Sequence, residues 1–103
     1  KSPAAPNTPS KFVDLHAGSL ETGIMLNYFP EQVNLTVAAS LKATEITYDD
    51  LKSVRKGGTE VRSLIPEGYF GNPAGFHPEA AKKFVEDKAR NYARLIEGIL
   101  RSK

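Results

Sequence analysis

The sequence has no cysteine, and it has only two histidines. The missing cysteines exclude disulfide bridges, thiolate zinc sites and a cysteine nucleophile, so a metal ion would need His, Asp or Glu ligands. No apolar run approaches the roughly 20 residues that cross a bilayer, and the amino end lacks the hydrophobic block of a signal peptide. We therefore expect a cytoplasmic protein that does not enter a membrane.

The sequence also lacks an excess of charge of one sign. The chain has fourteen Lys and Arg residues and twelve Asp and Glu residues, which gives a net charge of +2, and residues of the two signs are interleaved along the sequence. Nucleic-acid binding needs a concentrated basic surface, so we do not expect a nucleic-acid partner. A chain of 103 residues with 40% hydrophobic residues has room for one domain with a small core.

Proline divides the chain into two parts. Residues 1–11 contain Pro3, Pro6 and Pro9 and are predicted to form an extended leader or the interior of a cut loop. Residues 12–103 are predicted to be the C-terminal part of a single α/β domain. The alternating residues 12–16 favour a β-strand, and Ser19 is a suitable N-cap for a helix that Pro30 would stop.

The middle of the chain gives weaker signals. Alternating apolar residues at 33–37 and residues 45–48 are compatible with short strands, and residues 50–55 with a helical turn. Residues 68–76 are rich in glycine and are predicted to form an irregular loop.

The carboxyl end predicts a helix of about twenty residues. His77 is a possible cap, Pro78 suits the first helical position, and apolar residues recur at helical spacing from Ala81 to Ile99. Charged pairs at i,i+4 are expected on the solvated side. These pairs are Glu79–Lys83, Glu86–Arg90 and Glu97–Arg101.

His16 is the candidate for site chemistry. It follows the predicted strand, with Asp14 two residues earlier and Glu21 in the next helical turn. A carboxylate beside an imidazole can fix its tautomer and raise its basicity, which suits proton transfer. From spacing alone, a hydrogen-bonded structural histidine is favoured over a histidine with site chemistry. Nucleotide-binding loops, a nucleophile elbow and paired-histidine zinc motifs are absent from the sequence.

Two segments resemble a known family. Residues 14–26 read DLHAGSLETGIML, followed by PEQV at 30–33, and residues 68–73 read GYFGNP before the terminal helix. In this order they resemble the late segments of the creatininase (creatinine amidohydrolase) family. The resemblance implies the C-terminal part of a three-layer α/β/α fold with a mostly parallel sheet. It also implies hydrolysis of a C–N bond in a small amide substrate, such as a cyclic amide, formamide or peptide, with a metal-bound hydroxide as the nucleophile.

The same resemblance assigns roles to four residues. His16 corresponds to the histidine that relays a proton at the scissile nitrogen, and Glu21 to an acid that orients it, so both are expected to be catalytic. Asp14 and Gly18 are expected to take part in substrate binding. Gly23 stands where the family usually has serine.

The family's metal-binding segments, an E-x-H motif and an N-G-H-x-E-N motif, are absent here. The resemblance therefore implies a C-terminal fragment or subunit, with the ligands of the divalent zinc or manganese ions mostly outside this chain. The expected partners are the missing N-terminal polypeptide of the same enzyme and further copies in a homo-oligomer, and the chain alone is expected to be inactive. The alternative is a non-catalytic binding or scaffold α/β domain that retains the motif for packing.

Overall fold

The computed structural model describes residues 12–102, so the predicted leader at residues 1–11 lies outside the described part. Five α-helices follow one another in residues 12–102. They are α1 (Ser19–Tyr28), α2 (Leu35–Ser40), α3 (Leu51–Val54), α4 (Gly58–Leu64) and α5 (Pro78–Arg101). Two short 3₁₀ turns, Pro30–Gln32 and Pro73–Gly75, precede α2 and α5 respectively.

The expected α/β/α fold with a mostly parallel sheet is wrong for residues 12–102. This part of the chain is 63% helical and contains no β-strand. Residues 12–16, predicted as a strand, make only two isolated antiparallel bridges, Phe12 with Thr47 and His16 with Phe70.

Both bridge partners sit where the backbone turns away, so neither pairing extends into a ladder. The side chain of Asp50 accepts hydrogen bonds from the backbone N–H (2.9 Å) and hydroxyl (3.0 Å) of Thr47, which turns the chain into α3. On the other side, Phe70 lies between Gly68 and Gly71, whose positive φ angles of 88° and 155° bend the chain. Local turn chemistry therefore limits each pairing to one bridge.

The alternating residues 33–37 do not form a strand either. The side chain of Asn34 accepts a hydrogen bond from the backbone N–H of Val37 (3.1 Å) and caps α2. An asparagine cap satisfies a donor at a helix start, which favours helix over the short apolar alternation. The helical turn predicted at 50–55 is confirmed by α3.

The terminal helix is confirmed, with its predicted start. The imidazole Nδ1 of His77 accepts a hydrogen bond from the backbone N–H of Ala80 (3.1 Å), and Pro78 is the first helical residue. Of the expected ion pairs, the structure shows Glu97–Arg101 at 3.7 Å. Lys83 and Arg90 instead contact Asp87, which lies between them on the same face.

Helix α1 packs against the first turns of α5 at a close crossing. A Cβ added to Gly23 would lie 2.8 Å from the Ala81 methyl and 3.2 Å from the His77 carbonyl oxygen. The Asn27 amide donates to the Gly23 carbonyl (2.9 Å) and to the Pro78 carbonyl (2.6 Å). Glycine at position 23 therefore allows an approach that a serine side chain would obstruct.

The core is small, as the chain length predicts. Val13, Ile46 and Phe70 form its centre, and partly buried apolar residues of α3 and α4 surround them. The carboxyl half of α5 extends beyond α1 and leaves large apolar side chains 57–66% exposed. They are Tyr92, Leu95, Ile96, Ile99 and Leu100. Among the described helices, none combines the length and apolar character that a bilayer crossing requires.

Candidate active site

Asp14 joins the two sequence segments that carry the family resemblance. Its Oδ1 accepts hydrogen bonds from the backbone N–H groups of Asn72 (2.9 Å) and Ser19 (3.2 Å). Its Oδ2 accepts from the Ser19 hydroxyl (3.1 Å). Ser19, predicted as the N-cap, is instead the first residue of α1, and Gly18 is the N-cap. The carboxylate thus fixes the start of α1 against the 68–73 segment.

Two glycines leave the room that this carboxylate occupies. A Cβ built on either Gly18 or Gly71 would lie 1.9 Å from Asp14 Oδ1, far inside van der Waals contact. Gly18 and Gly71 are both buried. The predicted role of Asp14 and Gly18 in substrate binding stays a prediction, while their contacts show that they shape the backbone beside His16.

The backbone of His16 is held by Phe70. His16 N–H donates to the Phe70 carbonyl (3.1 Å), and Phe70 N–H donates to the His16 carbonyl (2.7 Å). The imidazole is 67% exposed. A rigid backbone therefore presents a side chain that solvent or a ligand can reach.

Glu21 lies beside this imidazole, as its place in the first turn of α1 predicts. Its Oε1 is 3.9 Å from His16 Nδ1 and accepts a hydrogen bond from the backbone N–H of Ala17. That bond satisfies a donor at the helix start and fixes the carboxylate. Ala17 has a positive φ of 52°, which turns the chain from His16 into the helix.

His16 and Glu21 line two cavities. The smaller, about 270 Å³, also contacts Asp14 and Gly18, so it brings the four predicted site residues together. Phe84 of α5 completes one of its walls. The larger is an open groove of about 550 Å³ between α1, α2 and the loop before Phe70.

A comparison with protein families agrees with the sequence segments. The creatininase family model, described as creatinine amidohydrolase, matches residues 1–96 of the 103-residue chain. The chain belongs to the creatininase family. No curated protein and no solved structure matches it significantly.

Membership of the creatininase family suggests an amidohydrolase-type function, and the family is generally metal-dependent. Residues 12–102 contain no group of three or more His, Asp or Glu side chains that could hold a metal ion. Asp14 directs its carboxylate to backbone donors, which leaves His16 and Glu21 as a pair of donors. Because metal sites in proteins usually use at least three protein ligands, the described residues do not fit a metal ion.

The sequence did not indicate the larger groove of this creatininase-family chain. The segment that forms one wall, α2, was compatible with a strand in the sequence. Val37 and Ala38 line the groove in the helix that Asn34 caps. Asn72 was also missed as a site residue, although it lies in the GYFGNP segment and is only 6% exposed. The family resemblance of the GYFGNP segment was the signal that could have indicated Asn72.

Proposed function

We propose that this chain supplies the proton-transfer part of a metal-dependent amidohydrolase that hydrolyses a C–N bond in a cyclic amide, a formamide or a peptide. The observation that carries the proposal is the placement of His16 Nδ1 3.9 Å from Glu21 Oε1, at two cavities, in a member of the creatininase family. An imidazole oriented by a carboxylate is a general acid and base at neutral pH.

In amide hydrolysis, the oxygen of water forms a bond to the carbonyl carbon, and the bond from that carbon to nitrogen breaks. His16 accepts the proton that the water loses and delivers it to the departing nitrogen. Glu21, fixed by the Ala17 N–H, orients the imidazole and stabilises its protonated form. Asp14 and Gly18 place the His16 backbone at the smaller cavity and contact the substrate there.

We place the ligands of the zinc or manganese ions outside the described residues, on the N-terminal polypeptide of the same enzyme. The exposure of the pair supports such a partner, because His16 is 67% and Glu21 55% exposed, and a surface ion pair in water is weak. A covering polypeptide would exclude water and strengthen the pair.

The exposed apolar half of α5 supports the same partner. Tyr92, Leu95 and Ile99 are 58–62% exposed and lie on one face of the helix. Contiguous apolar patches of this kind are typical of surfaces that another polypeptide covers. We include association into a homo-oligomer and a cytoplasmic location in the proposal.

A second candidate is a non-catalytic binding or scaffold domain that retains the motif for packing. The inward hydrogen bonds of Asp14 favour it, since they give the motif a structural purpose without chemistry. The candidates differ in whether His16 is needed for turnover.

The composition of the purified protein tests the partner. Intact-mass and metal analysis of the native material should find a co-purifying polypeptide that carries the E-x-H segment, with about two metal ions per assembled unit. A solitary, metal-free monomer would overturn the proposal.

In the assembled enzyme, His16→Asn should lower kcat for amide hydrolysis by about 10²–10⁴-fold and leave the metal content unchanged. The matched control is His77→Asn, which keeps an acceptor for the cap of α5 and should retain activity. If the His16 variant retains as much activity as the His77 variant, the scaffold candidate is favoured. Loss of metal from the His16→Asn variant would show that His16 is a metal ligand.

A further inference from the structure

The walls of the larger groove are mostly apolar, although the polar side chains of His16, Glu21, Thr22, Gln32, Asn34 and Glu67 also line it. Tyr69 contributes a further aromatic surface, and its hydroxyl donates to the Lys42 carbonyl at 2.5 Å, which holds the ring in place. The apolar wall residues are Met25, Val33, Val37, Ala38, Leu41 and Pro73.

The ionisable residues of the groove are one imidazole and two carboxylates. Glu67 lies in the lining with His16 and Glu21, and none of the lysines or arginines among residues 12–102 does. A ligand carboxylate would meet the like charges of Glu21 and Glu67 there without a lysine or arginine to pair with, which is unfavourable. A neutral chain, or one with an amino group, meets no such repulsion.

The size of the groove favours a ligand larger than a small ring. A volume of about 550 Å³ is within the range of sites for small molecules, which rely on apolar walls and a few well-placed polar groups. A compact polar ring at His16 would leave most of the wall in contact with water. A chain with a large apolar side group would cover it and gain from its burial.

We propose that this groove selects amide substrates that carry a large, uncharged apolar group beside the scissile bond. The inference rests on the proposed function, because it takes the groove beside His16 as the part of the site that binds the substrate side chain. Peptide or acyl amides with leucine-like side chains fit it, whereas substrates with a side-chain carboxylate are disfavoured. Val37, exposed on α2 at the groove, is a specificity residue.

A matched ligand series tests the selectivity by binding alone. N-acetylleucinamide, N-acetylglycinamide and N-acetylaspartamide differ in one side chain, and their affinities for the full 103-residue chain can be measured by NMR titration. We expect the leucine amide to bind about tenfold more tightly than the glycine amide. The aspartate amide should bind most weakly. Equal affinities for the three amides would overturn the inference.

Two variants on the same helix locate the selectivity. Val37 lines the groove, Leu35 does not, and both side chains are 49% exposed, so neither change removes a buried contact. Val37→Asn should abolish the preference for leucine over glycine, and Leu35→Asn should retain it. Equal effects of the two variants, or chemical shift changes confined to α5, would contradict the groove as the binding site.

Activity separates this inference from the proposed function. If the assembled enzyme hydrolyses amides with dependence on His16 but without preference for the leucine series, the groove inference fails alone. If the series binds selectively and His16→Asn does not slow hydrolysis, the proposed function fails and the binding site stands. Loss of selectivity on assembly would show that polypeptide covers the groove, which also overturns the inference.

Discussion

The carboxylate of Asp14 accepts a hydrogen bond from the backbone N–H of Asn72, 58 residues later in the chain, at 2.9 Å. This bond links the segment that contains His16 to the loop that leads into α5. The same carboxylate also accepts hydrogen bonds from Ser19 at the start of α1. One side chain therefore connects the start of α1 with the loop before α5.

Asp14→Asn should destabilise the fold by about 2 kcal/mol, because hydrogen bonds to a charged acceptor are lost and an amide NH₂ would face backbone donors. Urea denaturation followed by circular dichroism measures the change. Asp49→Asn, at an exposed aspartate, is the control and should shift stability by less than about 0.5 kcal/mol. Equal stability of the two variants would show that the Asp14 carboxylate does not hold these segments together.

Gly23→Ala should destabilise the contact between α1 and α5, since the new methyl would lie 2.8 Å from the Ala81 methyl. The steric cost of overpacking, about 1–3 kcal/mol, exceeds the gain in helix propensity. Gly98 is the matched control because it is also helical but has open space around it. Gly98→Ala should therefore stabilise α5 by up to about 1 kcal/mol, as thermal melting would show. A gain in both variants would contradict the close crossing.

Local chemistry explains which parts of the fold the sequence could predict. The cap at His77 and the apolar face of α5 depend on residues within a few positions, and both were predicted correctly. The prediction of a sheet was wrong because a strand needs a neighbouring strand of similar length to pair with. The chain turns at Thr47 and at Gly71, so neither neighbour of residues 12–16 continues the pairing.

In the candidate site, too, local contacts were predictable and contacts between distant segments were not. The closeness of His16 and Glu21 follows from their place around one helix start, and the sequence indicated it. The contact of Asp14 with Gly71 and Asn72 depends on how distant segments meet, which no periodicity reveals. The groove also depends on the helical conformation of α2, which its alternating residues concealed.

Asp87 should make the stability of α5 depend on pH. Hydrogen bonds from Lys83 and then Arg90 hold the pKa of its carboxyl below the ordinary value of 3.8. A lowered pKa in the folded state means that the ionised carboxylate stabilises the fold. This stabilisation is fully present above about pH 4, the pKa of the unfolded chain, and it is lost as the pH falls through the pKa of the folded state.

Asp87→Asn should therefore lower Tm at pH 7, and the difference from the unmodified chain should vanish near pH 2. Thermal melts followed by circular dichroism at both pH values give the comparison. Glu86→Gln, at the neighbouring exposed position on α5, is the control and should show a smaller difference at pH 7. An Asp87→Asn effect that persists at pH 2 would point to packing rather than charge.

Ala17→Gly should stabilise the turn between His16 and α1. Ala17 has a φ of 52°, a left-handed conformation that costs an L-residue about 1 kcal/mol and that glycine adopts freely. The greater freedom of glycine in the unfolded chain offsets part of this gain, so we expect a net stabilisation of about 0.5 kcal/mol in urea denaturation. Ala39→Gly, in α2, is the control and should destabilise by up to about 1 kcal/mol. Glycine keeps the backbone N–H that donates to Glu21, so this hydrogen bond is the same in both forms of the chain. A destabilised Ala17→Gly variant would therefore contradict the strain at position 17.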